Sequence, residues 1–257
     1  MFEKNSKAHV IFFALVLSVV CSLLITAAAT GLKDRQQENM ALDKKVNLLQ
    51  AAGLVDAGQK PGKDAINALY DERIEEVVVD RQGRVMETED PDGMHLYFIH
   101  APGSRDDHDF NDISGYIVPI NTRGLWGKIQ GYLAFENDGQ TVSGFSVFSH
   151  SETPGLGGEI ESAWFRKNFK GKKILNSQNK FVSIGIAKGK AEDLPKNEQP
   201  NYVDGISGAT LTGRYLSEGI KNTLMKYEGV SVAFRQKQLK AEDKHAGSIP
   251  SSNASGD

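Results

Sequence analysis

Three regimes of hydrophobic patterning divide this chain. From Val10 to Ala29 runs an uncharged stretch, VIFFALVLSVVCSLLITAAA, whose only polar interruptions are Ser18, Ser22 and Thr26. At about 1.5 Å per residue it spans about 30 Å, the thickness of a bilayer's hydrocarbon core, and so predicts one transmembrane helix. Helical spacing continues over Gln36–Ala52, where Met40, Val46, Leu48, Leu49 and Ala52 are apolar and Gly53 is placed to end the helix. A second short helix is expected over Ala65–Ile74. The period then changes to two. Val77–Val79, Val85–Thr88, Leu96–Ile99 and Tyr116–Ile120 read as strands, with Glu87–Gly93 and Pro102–Asp112 as polar loops. Tyr132–Glu136 and Thr141–Ser149 read as longer strands joined at Asn137-Asp138-Gly139-Gln140, whose Asp-Gly pair marks a hairpin. Ser162–Phe169 is expected to be helical, and Phe181–Ala187 a strand. Thr210–Tyr227 is a helix with an apolar stripe of Leu211, Tyr215, Leu216, Ile220, Leu224 and Met225.

Runs of strands broken by a few helices, without regular βαβ alternation, predict an α+β fold: a mostly antiparallel sheet with flanking helices, plus one N-terminal transmembrane helix. The expected organisation is a short cytoplasmic N-terminus (1–9), an anchor (10–30), an exported domain (31–235) and a disordered polar tail (236–257). Lys4 and Lys7 before the apolar run are diluted by Glu3, so charge bias orients the anchor only weakly. The short leading tail favours a cytoplasmic N-terminus. Ala27-Ala28-Ala29 also permits a cleaved signal peptide, but the run exceeds the apolar region usual in such peptides.

The net charge of −3 and the lack of a basic stripe with interleaved aromatics set nucleic-acid binding aside. The single cysteine, Cys21, lies within the apolar run, which leaves the domain without disulfides or a thiolate nucleophile. Phosphate-loop, serine-hydrolase and zinc-protease motifs are missing from the sequence. The cluster Asp106-Asp107-His108-Asp109 lacks the glycine and the spaced oxygen ligands of a calcium loop and reads as a solvated loop.

Three segments carry candidate chemistry. Gly124-Leu-Trp-Gly127 sets Trp126 between two glycines, either as an ordinary core residue or as an apolar wall beside a flat ligand. His150-Ser-Glu-Thr-Pro-Gly-Leu-Gly157 begins where a strand stops, and its Pro154 and glycines force a turn that exposes backbone polar groups. His150 and Glu152 lack a third metal ligand at familiar spacing, so a structural hydrogen-bonding role suits His150 better. Asp204-Gly-Ile-Ser-Gly-Ala-Thr210 combines an acidic residue, small residues and a hydroxyl at the start of a helix. Ser207 or Thr210 can simply cap that helix. The same loop also allows a bulky group to approach, with a phosphate at the helix N-terminus.

The last segment resembles the D-x-x-(S/T)-G-A-T signature at which flavin mononucleotide (FMN) is esterified through its phosphate to the final threonine. With the other two motifs in this order and the N-terminal anchor, nearly the whole chain resembles the C-subunit family of sodium-translocating NADH:quinone reductases. The G subunits of related electron-transport complexes share the anchor and domain but fit the motifs less well. The resemblance implies covalent FMN on Thr210, with Asp204, Ser207, Gly208 and Ala209 forming the attachment loop. It also implies pocket contacts from Trp126, Glu152, Thr153, Gly155, Leu156 and Gly157, with the backbone of Gly155–Gly157 meeting the flavin's polar edge. Thr212 is the alternative acceptor but stands outside the signature. The implied activity is one-electron transfer within a bacterial inner-membrane complex that oxidises NADH, reduces ubiquinone and exports sodium, with the domain in the periplasm. The implied partners are the complex's other subunits and a magnesium-dependent flavin transferase that uses FAD. A competing class is a membrane-anchored binding or assembly protein without a redox role, which would have no need of the Asp204–Thr210 loop. An anchored hydrolase lacks a nucleophile and base.

Overall fold

Helix α1, Lys7–Ala51, absorbs both the apolar run and the helix expected over Gln36–Ala52 into one element. This computed structural model describes residues 7–237 except 57, 60, 87–92 and 105–111. The Asp106–Asp109 cluster, most of both expected polar loops and the tail from 238 lie outside the described residues. The chain divides into two units, one ending at Lys44 and the other beginning at Lys45. In the first, the side chains of Val10–Ala29 are exposed and the helix is long and apolar enough to cross a membrane. In the second, α1 ends in a closed C-terminal motif. The Leu54 amide donates to Leu49 O, the Gly53 amide donates to Gln50 O, and Gly53 takes φ +71°.

Helix α2 (Lys63–Arg73) runs directly into strand β1 (Ile74–Val79). Then come β2 (Val85–Met86), β3 (Met94–His100), β4 (Ile113–Arg123), β5 (Lys128–Glu136) and β6 (Val142–Ser149). All are paired antiparallel in the order β2-β1-β3-β4-β5-β6. The β5–β6 hairpin turns where Asp-Gly predicted it. The Asp138 carboxylate accepts the Gln140 and Thr141 amides and the Thr141 hydroxyl, and Gly139 has φ +66°.

Alternation along the strands gives the sheet two apolar faces. On one face Phe98, Tyr116, Val118, Leu133, Phe135 and Phe145 pack with α3 (Ala163–Lys167), α4 (Thr210–Lys226) and α5 (Glu228–Arg235) through Phe165, Leu216, Ile220, Leu224 and Phe234. The other face is covered by the end of α1 and by α2. There Leu48 and Leu49 are fully buried, and the Ser146 hydroxyl donates to Asn47 O at 2.9 Å.

Two expectations need correction. Phe181–Ala187 is not a continuous strand: only Gly185–Ile186 (β7) pairs, in parallel, with Tyr202–Val203 (β8), and Phe181 makes an isolated bridge to Leu175. Ser183 at φ +72° breaks the extended run, and the Val182 and Ser183 amides both turn to Ile174 O. The apolar stripe expected along α4 is also too broad. Leu216, Ile220 and Leu224 are buried, but Leu211 and Met225 are exposed, since they sit well off the line that these i, i+4 positions define.

Candidate functional site

Antiparallel pairing brings the end of β4, the start of β5 and the end of β6 to one edge of the molecule, and the N-terminus of α4 comes to the same place. The three motifs therefore converge, although they are far apart in sequence. A cleft of about 330 Å³ lies between them, lined by Leu125, Trp126, Glu152, Thr153, Leu156, Gly157 and Gly208 through Thr212.

Each wall has a local cause. Gly124 and Gly127 close the β4–β5 turn with an N–H···O bond of 2.6 Å, which projects Leu125 and Trp126 outward. Trp126 is 70% exposed, so it is not a core residue. After β6, Pro154 and Gly155 occupy the centre of a β-turn that the Leu156 amide closes onto Thr153 O at 3.1 Å, with Gly155 at φ +73°. A 3-10 turn over Gly157–Glu161 follows. His150 is tied into the same turn. Its Nδ1 accepts the Glu152 amide at 3.1 Å, and its Nε2 lies 3.2 Å from Glu161.

Glu152 sits at the bottom of the cleft and is 4% exposed. One carboxyl oxygen accepts the Trp126 amide at 3.1 Å, and the other accepts the Thr212 hydroxyl at 2.5 Å. The attachment loop is fastened separately. Asp204 accepts the Ala191 amide at 2.7 Å, and Gly205 donates to Gly189 O at 2.7 Å. Gly208 stands at φ +73°, and a Cβ there would lie 2.8 Å from Leu156. Ala209 occupies the cap position of α4 and makes no side-chain cap, so first-turn amides are left for another acceptor.

The two threonines differ sharply. Thr210 is exposed on the cleft wall, while Thr212 is 1% exposed and its hydroxyl is committed to Glu152. Of the residues singled out in the sequence, Thr210, Gly208, Ala209, Trp126, Glu152, Thr153, Leu156 and Gly157 line the cleft. Asp204, Ser207 and Gly155 do not: Asp204 braces the loop, Ser207 is exposed elsewhere, and Gly155 shapes its turn. Sequence reasoning passed over Leu125 and assigned Leu211 to the core. Leu125 lies inside a motif already singled out, and Leu211 falls off the buried stripe of its helix, so both were open to detection. A larger cleft of about 660 Å³, lined by Asn176, Ser183, Tyr202, Ser217 and Lys221 among others, contains none of the three motifs. Among the described residues no cluster of His, Cys, Asp and Glu is arranged to hold a metal ion.

The cleft has the character of a site for a flat ring on a phosphate tail. It combines apolar walls open to solvent, an exposed threonine, and glycines where a side chain would intrude. Residues 124–225 match the model of the FMN-binding domain family. The chain is 32% identical to the C subunit of the Na(+)-translocating NADH-quinone reductase of Yersinia pestis, over 86% of this chain and 88% of that one. It is likewise 32% identical to the corresponding protein of Pseudomonas aeruginosa, over 87% and 92%. The crystal structure of the Parabacteroides distasonis counterpart superposes with a TM-score of 0.64 at 26% identity, over 78% of this chain and 96% of that one. Shewanella oneidensis NqrC shares the fold, with a TM-score of 0.59 at 21% identity over 76% and 97%. Fold, converging motifs and full-length relatives agree, and the chain belongs to the family of Na(+)-translocating NADH-quinone reductase C subunits.

Proposed function

We propose that this chain carries FMN esterified through its phosphate to Thr210 and passes single electrons within a membrane respiratory complex that oxidises NADH, reduces ubiquinone and exports sodium. The observation that carries this reading is the contrast between an exposed Thr210 on the cleft wall and a buried, bonded Thr212 two residues on. FMN supplies one-electron redox chemistry when bound, and an ester at the phosphate leaves its ring unmodified.

The chain's own residues would then do the remaining work. Amides of the first turn of α4, left without a side-chain cap, suit a phosphate, assisted by the helix dipole. Leu125, Trp126, Leu156 and Leu211 would cover the ring and exclude water from its faces. Backbone groups of Thr153 and Gly157, which line the cleft, would hold its polar edge. The openness of these walls suits electron exchange with a neighbouring protein of the complex.

The organisation proposed is a cytoplasmic 1–9, a membrane anchor at 10–30, a periplasmic 31–235 and a tail at 236–257. A separate flavin transferase would modify Thr210 after export, as the family resemblance implies. Mass spectrometry of the purified chain should show one flavin adduct, lost in Thr210→Ala and kept in Thr212→Val. An adduct that survives in Thr210→Ala sinks the assignment.

A further inference from the structure

We propose that Glu152 is a positioning residue: its single carboxyl group clamps the Trp126 loop to the first turn of α4 and so sets the width of the cleft.

The carboxyl accepts hydrogen bonds from segments 26 and 60 residues away in sequence, the Trp126 amide at 3.1 Å and the Thr212 hydroxyl at 2.5 Å. Both segments line the cleft, one from the β4–β5 turn and one from α4. Its own backbone is held in turn, because the Glu152 amide donates to His150 Nδ1. Room for the carboxyl is made on both sides by glycine. A Cβ on Gly124 would run into Glu152 Oε1, and one on Gly157 would lie 2.8 Å from Glu152 Oε2 and 2.5 Å from Thr212 Oγ1. Neither glycine has a positive φ, so crowding rather than backbone strain accounts for them: a Cβ on Gly124 would meet Glu152 and Ile129, and one on Gly157 would meet Thr212 and Glu152. A polar group this deeply buried is tolerated only when hydrogen-bonded, and here both bonds go to cleft walls rather than to the sheet. Thr212 and Trp126 cannot drift apart while both are held by one rigid carboxyl group. The relevance of this clamp to flavin rests on the reading of Thr210 as the attachment site, but the clamp itself does not.

The test uses the full chain, first prepared without flavin and then loaded. Hydrogen exchange of the Trp126 amide in the flavin-free chain should accelerate about tenfold in Glu152→Ala, the loss of roughly one buried hydrogen bond. Amides of the β4–β5 ladder, such as Val118 and Leu133, should keep their rates. Glu152→Gln retains one carbonyl acceptor, and its NH₂ can donate to the Thr212 oxygen, so it should restore most of the protection. In the loaded chain the visible flavin absorption should shift in Glu152→Ala and return in Glu152→Gln. An unchanged Trp126 rate in Glu152→Ala overturns the proposal. So does equal acceleration of the ladder amides, which would mean general loosening, or a Gln variant that behaves as Ala does. The attachment reading is decided separately by the adduct in Thr210→Ala, whose outcome leaves the flavin-free exchange result intact.

Discussion

Two threonines one short step apart on a helix illustrate how little of a residue's chemistry lies in its type. Thr210 and Thr212 share a side chain, yet one is exposed at N1 and the other is buried at N3 against a carboxyl group. The same contrast governs the glycines. At Gly157 a valine would place Cβ against Glu152 and Thr212, and neither neighbour can retreat without losing its hydrogen bond. Gly157→Val should therefore disturb the absorption and reduction potential of the bound flavin even though no side chain at that position is lost. Trp126→Ala should shift the potential by removing a large apolar wall and admitting water, while flavinylation at Thr210 proceeds if the transferase reads only the local loop. Wild-type spectra and potentials in both variants would move the flavin ring out of this cleft.

At the scale of elements, the β5–β6 turn and the last helix are each fastened by side-chain interactions. In the β5–β6 turn, burial disfavours the ionised Asp138, but hydrogen bonds from the Thr141 hydroxyl and the Gln140 and Thr141 amides outweigh it. They hold the carboxyl below its ordinary 3.8. A carboxyl depressed in the folded state stabilises the fold above its unfolded pKa, and that contribution is lost as pH falls through the folded value. The stability advantage of the native protein over Asp138→Asn should accordingly be full at pH 7 and shrink progressively below about pH 4. Denaturant titrations at several pH values check this, and a constant difference down to about pH 2 would contradict it. Helix α5, not anticipated from the sequence, stacks Phe234 on Tyr116 with ring centroids 4.4 Å apart and bonds Ser231 to the Tyr116 hydroxyl at 2.9 Å. Burial pushes the Tyr116 pKa up despite that hydrogen bond, keeping the phenol neutral in the core. Phe234→Ala should cost about 3–5 kcal/mol, read as a lowered denaturation midpoint. A loss under about 1 kcal/mol would show that α5 is peripheral to the core.

At the scale of the whole molecule, the apolar run of α1 and the motif-bearing domain place different demands on their surroundings. Side chains from Val10 to Ala29 are exposed along the helix, which is unfavourable in water and favourable in lipid. The chain should therefore remain in the membrane fraction after alkaline extraction. A reporter active only in the periplasm should function when fused after Gln236, and the mature protein should retain its residues before Thr30. An inactive reporter would reverse the proposed orientation, and a mature N-terminus at Thr30 would replace the anchor with a signal peptide.

Local patterning by itself pointed to the apolar run, the strands from Val77 to Ser149, the Asp138-Gly139 hairpin and the helix after Thr210, because period and turn residues are written in neighbouring positions even where, as in the strands, the pairing that stabilises them is not. It also identified the three motifs, since Gly, Pro and small residues announce unusual backbone wherever they cluster. It did not separate the roles inside those motifs. Whether Asp204 braces a loop or meets a ligand depends on Ala191, and whether Glu152 lines a wall or joins two walls depends on Trp126 and Thr212. Helix α5 escaped notice because its partners are Phe98 and Tyr116, more than a hundred residues earlier. The strand expected at Phe181–Ala187 failed because an extended run needs a neighbour to pair with, and Ile174 offered one carbonyl to two amides instead. Only the tertiary structure could decide these, because burial, pairing and hydrogen-bond partners are properties of segments brought together, and no local pattern encodes which distant segment will arrive.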